Sequence, residues 1–490
     1  MYTKTYRQYL TCCLIMVMLL CFVVRATAQQ IRQTDADTKR IFTLKDLEER
    51  VLMYHPIVKQ AELLSQEARA KVMQSLGGFD PAIKASFGRK TFGGTDYYNH
   101  WDSELKVPLW LAGADLKVGY DRNVGIYNNP ETRTALSGLS GIGLNIPLGQ
   151  GLIIDARRNT LRQAKIMVNY AEAQKIAQIN KIWFTAVKDY WNWYYAYRQY
   201  VLIRDGVDLA QTRFVALRNQ VLIGDKPPID SVEAAITMQD RQVQLQSAGV
   251  ELQNARLVMS NHLWSKDGEP QELPETAMPQ ADNKVMLTVN RGALDTLAGY
   301  AADRHPDLLK LRSEGSRLNL ERAYRAELLK PKLNINGSFL SNRRDFGSYV
   351  PDTYDFRPGN YKVGIDFSFP LFLRAERGKL REVKIQQLEL EYDVKQTGRE
   401  IQTGISSSYN ELKAYEAKVL LQTKSVINQQ VLVKGELQKF ELGESTLFLI
   451  NSRETKLIDM QIKKAEMIAG MQKSLADLYY KAGTRVTAVN

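Results

Sequence analysis

Beyond position 21 the sequence holds no cysteine, and the three it has, Cys12, Cys13 and Cys21, fall in an opening segment laid out like a secretory signal. Lys4 and Arg7 give that segment a charged start, Leu14 to Val24 an apolar run, and Ala26-Thr27-Ala28 the small residues of a cleavage site, so the mature chain is expected to begin at Gln29. The apolar run is too short to span a bilayer comfortably as a helix. Cys21 lacks a small residue just before it, since Met18-Leu19-Leu20 precedes and Phe22 follows, which argues against a lipid-bearing cysteine. An exported chain enters a compartment that permits disulfides, yet no disulfide can hold this one.

Long apolar runs are also missing. After the signal no window offers the ~18 consecutive apolar residues of a transmembrane helix, so any membrane span must be made of strands. Histidine is scarce too. His55, His100, His262 and His305 form no His-x-x-x-His or Glu-flanked spacing, which, with no cysteine beyond position 21, argues against a structural zinc site. The glycine-bearing turns "LAGAD" and "PLGQG" complete neither a phosphate loop nor a nucleophile elbow. No enzyme and no cofactor is read here. The formal charge of +12 falls to about +9 when Lys4, Arg7 and Arg25 leave with the signal. Lys and Arg are scattered among Asp and Glu on helical patterns, a solvated mixed-charge surface rather than a nucleic-acid patch.

What is present is a repeat. His55-Pro56 and His305-Pro306 lie about 250 positions apart, and Asp80-Pro81 and Lys330-Pro331 keep that offset. Each second proline opens an alternating segment: Ile83, Ala85 and Phe87 in the first copy, Leu333, Ile335 and Phe339 in the second. "GIGLNIPLGQG" from Gly141 matches "KVGIDFSFPLF" from Lys362, with Pro147 aligned to Pro370, so the offset shrinks to about 223 and the first copy carries about 27 extra residues. The extra segment alternates as well, with Leu105, Val107 and Leu109 before "LAGAD" and Leu116, Val118 and Tyr120 after it. Two added strands would preserve up-down parity and raise the chain from four strands to six; a hairpin outside the sheet is the competing reading.

Proline and turn clusters vanish from Leu152 to about Val221 and from about Arg374 to Leu442. As helices these segments would each reach roughly 100 Å. Ile401, Ile405, Tyr409, Leu412, Tyr415 and Val419 mark a coiled-coil seam in the second. The aromatic run "YWNWYYAY" from Tyr190 lies roughly 60 Å along a helix from the nearest strand, too deep for a membrane belt, and reads as bulky packing where shorter helices dock. The His-Pro pairs read as helix starts, with Pro56 and Pro306 in a first turn. In "YKVGIDFSF", Tyr361, Val363, Ile365, Phe367 and Phe369 share one face, while Lys362, Gly364, Asp366 and Ser368 share the other, as a lipid-facing strand requires. The runs match the ~9 to 11 residues of a tilted spanning strand. Tyr97, Tyr98, Trp101, Tyr349, Tyr354 and Phe372 flank them as candidate interface girdles.

The expected fold is mainly α with a membrane β-barrel portion, in two tandem repeats of helix, strands, long helix and helix. Residues 1–28 are the signal, 29–264 the first repeat, 265–289 a linker, 290–483 the second repeat and 484–490 a tail. Strands fall in about 81–147 and 331–370, long helices in about 152–264 and 374–482.

This ordered pattern, over essentially the whole mature chain, resembles the TolC family of outer-membrane channel proteins. The resemblance implies a homotrimer whose protomers jointly close one barrel among outer-membrane lipid and continue it as a long α-helical periplasmic barrel. It also implies docking on a periplasmic adaptor protein and an inner-membrane transporter, with no catalytic groups and no cofactor. Family tips carry a glycine in the turn and then an acid, a second acid and a small residue. Gly224, Asp230, Glu233 and Ala234 fit; Gly443, Asn451, Glu454 and Thr455 depart at Asn451, where aspartate is common. By that resemblance Glu454, Asn451, Asp230 and Glu233 are candidates for a periplasmic gate, whose acidic ring would favour cations. Ordinary acids near a helix start are the competing reading. Ile223-Gly224 and Leu442-Gly443 resemble adaptor-docking tips, and glycine also ends helices for its own reasons. From another class, a periplasmic coiled-coil structural or adaptor protein would use the same helices but has no need of lipid-facing strands.

Overall fold

A computed structural model describes residues 40–280, 289–341 and 358–486. The expected signal and the girdle candidates Tyr349 and Tyr354 lie outside the described residues. The chain divides into two compact units. One is built from the described parts of Met1–Lys59, Ile179–Leu297 and Gly404–Asn490, the other from those of Gln60–Gln178 and Ala298–Thr403.

Strand β1 (Arg40–Phe42) leads into helices α1 (Leu44–Tyr54) and α2 (Pro56–Leu76). Thr43 and Asp46 form a reciprocal capping box at the start of α1, the Asp46 amide donating to the Thr43 hydroxyl at 3.1 Å and the Thr43 amide to the Asp46 carboxylate at 2.8 Å. His55 is extended (φ −63°, ψ 130°), the geometry that a following proline imposes, so α1 stops and α2 starts at Pro56. Strands β2 (Ala82–Phe92), β3 (Thr95–Pro108), β4 (Asp115–Val124) and β5 (Leu139–Pro147) follow, and then helices α3 (Ala156–Leu222) and α4 (Pro228–Ser260). After the short strand β6 (Ala277–Pro279) the order recurs: α5 (Arg291–Arg304), α6 (Pro306–Glu327), β7 (Lys332–Ser341), β8 (Tyr361–Ser368), α7 (Arg374–Glu441) and α8 (Leu447–Lys481). The second His-Pro pair again separates two helices.

In the second unit six strands form one antiparallel sheet in the order β2-β3-β4-β5-β7-β8. The segment of open placement is therefore part of the sheet: Leu105 and Val107 lie on β3, Leu116, Val118 and Tyr120 on β4, between β2 and β5. The sheet is open, with β2 and β8 at its edges. One register row crosses all of it, through Ile83, Leu105, Val118, Ile142, Phe339 and Tyr361. Because strand side chains alternate between faces, the neighbouring rows keep Phe87, Trp101, Val107, Leu116, Leu144, Ile335, Val363 and Ile365 on that same face. Lys84, Glu104, Lys106, Lys117, Asn145, Asn336, Lys362 and Asp366 occupy the opposite one. Many of the apolar side chains are exposed, among them Ile83, Phe87, Trp101, Ile142, Leu144, Val363, Ile365 and Phe367.

Where β4 begins, Asp115 is buried between Arg157 (2.8 Å) and Lys106 (3.0 Å). Asp155 caps α3 by accepting from the Arg158 amide at 2.8 Å. These pairs fix the strand-to-helix corner through charged groups that would be expensive to bury singly.

In the first unit the seam of α7 buries Ile405, Leu412, Val419, Val426 and Val433, a strict seven-residue repeat of the kind that places one side of a helix against a partner. Tyr190, Trp191, Trp193 and Tyr194 of the aromatic run are buried. The Tyr190 hydroxyl donates to the Phe42 carbonyl (3.0 Å) and accepts from the Gln280 amide (3.1 Å), which ties β1 and the residue after β6 onto α3. Burial raises the Tyr190 hydroxyl to about 12, so it stays a neutral donor. The aromatic run is core.

Candidate functional site

Two helix hairpins meet in the first unit, α3 to α4 through Ile223 and Gly224, and α7 to α8 through Leu442 and Gly443. Both turns close by the same hydrogen bonds. The Gly224 amide donates to the Val221 carbonyl (3.1 Å) and the Asp225 amide to the Gln220 carbonyl (2.9 Å); Gly443 donates to Phe440 (3.1 Å) and Glu444 to Lys439 (2.8 Å). These are Schellman closures, and they set Gly224 at φ 81° and Gly443 at φ 80°, the left-handed region that glycine enters without steric penalty. Gly443→Ala is expected to cost about 1 kcal/mol of local stability, read as faster hydrogen exchange in the turn with the rest of the chain unchanged. Pro228 opens α4, and the Thr446 hydroxyl caps α8 by accepting from the Leu449 amide at 3.4 Å. Ile223 and Leu442 are largely exposed at the turns. Beneath them Leu217, Ala234 and Leu447 form a small core with Phe214 and Phe440 against it.

One or two turns below, α3 and α4 converge on Glu454 of α8. Its side chain is 5% exposed, and both carboxylate oxygens are taken: Arg213 of α3 donates to Oε1 at 2.5 Å and to Oε2 at 2.8 Å, and Arg241 of α4 to Oε2 at 3.3 Å. Arg241 is itself 6% exposed and spends its other terminal nitrogen on the Gly206 carbonyl at 2.8 Å. Asn451 accepts from Arg213 at 3.1 Å and donates to the Thr237 hydroxyl at 3.2 Å, which in turn donates to the Glu233 carbonyl at 3.0 Å. A two-pronged arginine fork on a carboxylate is the strong form of this pairing. With two arginines against one acid the cluster keeps a net positive charge. Beside it a groove of about 590 Å³ runs between α4 and α8, lined in part by Glu233, Asp240, Arg241, Asn451, Arg453 and Asp459.

Of the four gate candidates, the structure brings Glu454 and Asn451 together on Arg213. Glu233 joins them through its main-chain carbonyl while its side chain borders the groove. Asp230 stands apart in the first turn of α4, an acid at a helix start. As found, Glu454 is not a bare acid, since both of its oxygens are bound within the chain. The sequence reading did not single out Arg213, Arg241, Thr237 or Gly206. A signal for Arg241 was present: Ala234, Arg241 and Ala248 stand seven apart and all are buried, so an arginine sits where the seam calls for a small apolar residue. A Cβ at Gly206 would meet Ile458 Cδ1 at 2.7 Å, the movable end of a side chain. Gly206→Ala is therefore expected to be close to neutral, because a small shift of Ile458 is offset by the roughly 0.5–1 kcal/mol that alanine gains over glycine inside a helix, observable as a nearly unchanged denaturation midpoint.

No family model matches the sequence, and no curated protein matches it either. Solved structures do. The chain is similar to the Campylobacter jejuni CmeC outer membrane channel (TM-score 0.62, 13% identity, 90% of this chain and 85% of that one). It is similar to the outer membrane protein VceC from Vibrio cholerae (0.61, 14%, 90% and 96%) and to the open state of the Neisseria gonorrhoeae MtrE outer membrane channel (0.63, 15%, 90% and 89%). With identities this low the agreement lies in the order and packing of the elements: paired helices, strands and long helices repeated over nearly the full length of both chains. The fold of this chain is the fold of the TolC-type outer-membrane channels.

Proposed function

We propose that this chain is the outer-membrane exit duct of a tripartite efflux or type I secretion system, receiving cargo from an inner-membrane transporter and a periplasmic adaptor. Three copies close one barrel, each giving six strands, and the repeats at 29–264 and 290–483 supply its helical continuation through the periplasm. The chain acts as a conduit and not as an enzyme. It lies in the outer membrane with a long periplasmic portion.

The observation that carries this reading is the apolar face of the six-stranded sheet. That face is continuous from edge to edge, while the opposite face carries lysines, acids and asparagines. A lipid-facing barrel wall needs this division, and closure with further copies removes the open edges that hydrocarbon does not tolerate. Among the described residues no helix is long and apolar enough to cross a membrane. A periplasmic adaptor would have no use for such a face.

The tips dock the adaptor at Ile223, Gly224, Leu442 and Gly443. In the closed state Glu454 clamps α8 to α3 and α4, and Asp230 and Glu233 flank the opening. Membrane fractionation tests the channel: detergent should extract a heat-sensitive trimer that conducts ions in planar bilayers. A monomer soluble without detergent would leave the adaptor reading in its place.

A further inference from the structure

His55 lies neither at the helix tips nor on the barrel-wall strands, yet it is buried. Its Nδ1 accepts from the Ile57 amide at 3.2 Å, one of the amides at the start of α2 that have no partner within the helix. The ring also interacts with the Asn261 main chain, a contact that by itself favours the charged form and is outweighed by burial. Only the neutral ring fits this arrangement, because an imidazolium carries a proton on both nitrogens and accepts nothing.

The surroundings come from two other elements. His262, just after α4, has its ring centroid 6.0 Å from that of His55, and Trp264 meets His55 edge-on at 6.2 Å. On α3, Asp189 holds His262 Nε2 at 2.8 Å. On α1 the nearest charge in sequence, Arg50, is engaged by Gln271 at 2.8 Å. The one carboxylate in the cluster is therefore committed to His262, and a proton on His55 would have a second imidazole and an indole for neighbours.

The position matters as much as the chemistry. The chain crosses from one compact unit to the other between Lys59 and Gln60, in the first turn of the helix that His55 caps. The second His-Pro pair offers a comparison within the same molecule. His305 Nδ1 caps α6 by accepting from the Asp307 amide at 3.2 Å. There too burial lowers the pKa, but the Asp307 carboxylate lies 3.8 Å away and favours the charged ring, while Lys310 opposes it.

We propose that His55 is a proton-sensitive cap at the start of α2, closed while the ring is neutral and released in acid. The proposal is independent of the conduit role. Burial, with His262 adding to it, lowers the His55 pKa from 6.5 to about 4 in the closed state. A released ring returns toward 6.5, so the open junction binds more protons between these limits. Closure is therefore complete above about pH 6.5 and weakens as pH falls toward 4. His305, which has a carboxylate to receive its charge, responds less.

Hydrogen exchange on the detergent-solubilised full chain tests this, in peptides covering the first turn of α2, from pH 7 to pH 4 and corrected for the intrinsic rate. Opening should increase roughly tenfold to a hundredfold over the range, while the start of α8, capped by the non-titrating Thr446 hydroxyl, stays level. His55→Asn keeps an oxygen acceptor at every pH and should flatten the profile; His55→Ala should leave the turn open throughout. A wild-type profile as flat as that of α8, or a His55→Asn variant that keeps the acid response, overturns the proposal. The wild-type comparison of the two helix starts decides it even if neither variant assembles.

Discussion

Replacing Glu454 by alanine is expected to loosen the α3–α4–α8 junction by about 3–5 kcal/mol, the usual result of leaving buried charge without its partner. Two arginines face this one acid, at side-chain exposures of 14% for Arg213 and 6% for Arg241. The variant leaves both guanidinium groups to repel one another in a site that water barely reaches. Local hydrogen exchange at the start of α8 reads the effect, and a rise of roughly two to four orders of magnitude corresponds to that range. Glu454→Gln should fall between, since the amide oxygen still accepts from one arginine but carries no charge. The combined variant Glu454→Leu, Arg213→Met and Arg241→Met should recover most of the loss, because an apolar replacement of a buried ion pair is often neutral or stabilising. If Glu454→Ala exchanged like the wild type, the cluster would hold nothing together. In bilayers, the same variant should open more readily and conduct more often if Glu454 clamps the closed state. Unchanged conductance and cation selectivity would remove Glu454 from the gate.

That cluster shows where the sequence stops being sufficient. The tip glycines were legible, because a glycine ending a long proline-free helix has a local cause, the left-handed turn, and Gly224 and Gly443 both adopt it. Glu454 and Asn451 were legible only through resemblance, and what they touch was not. The partners Arg213 and Arg241 lie more than 200 positions away, and no local rule pairs residues at that distance. The one sequence trace was Arg241 interrupting a seam of alanines.

The strands followed a similar rule. Alternation exposed the apolar faces of β2, β4, β5, β7 and β8, since period two is a local property. It could not decide whether the β3–β4 pair joined the sheet, because membership depends on register with strands elsewhere in the chain. The prolines of the His-Pro pairs announced helix starts; the imidazole caps depend on side-chain orientation, which a sequence does not carry.

Leu144→Arg should abolish the membrane-inserted form, whereas Asn145→Arg, one residue along the same strand, should leave it nearly intact. The two side chains lie on opposite faces of β5: Leu144 pairs with Leu116 and Gly337 in the apolar rows, Asn145 with Asp115 and Asn336 in the polar ones. An arginine on the lipid face near the bilayer midplane costs about 2–4 kcal/mol, and three copies in the proposed barrel bring this to roughly 6–12 kcal/mol. On the opposite face the same charge comes beside the Asp115 carboxylate and away from hydrocarbon. The absence of cysteine after position 21 makes a direct readout available. Leu144→Cys and Asn145→Cys would each carry the one thiol beyond position 21, and neither change adds charge. In intact membranes a water-soluble maleimide should label Asn145→Cys and spare Leu144→Cys; after detergent extraction and unfolding both should label. Equal labelling of the two before extraction would mean that the apolar face meets water, and the barrel-wall reading of the sheet would fail with it.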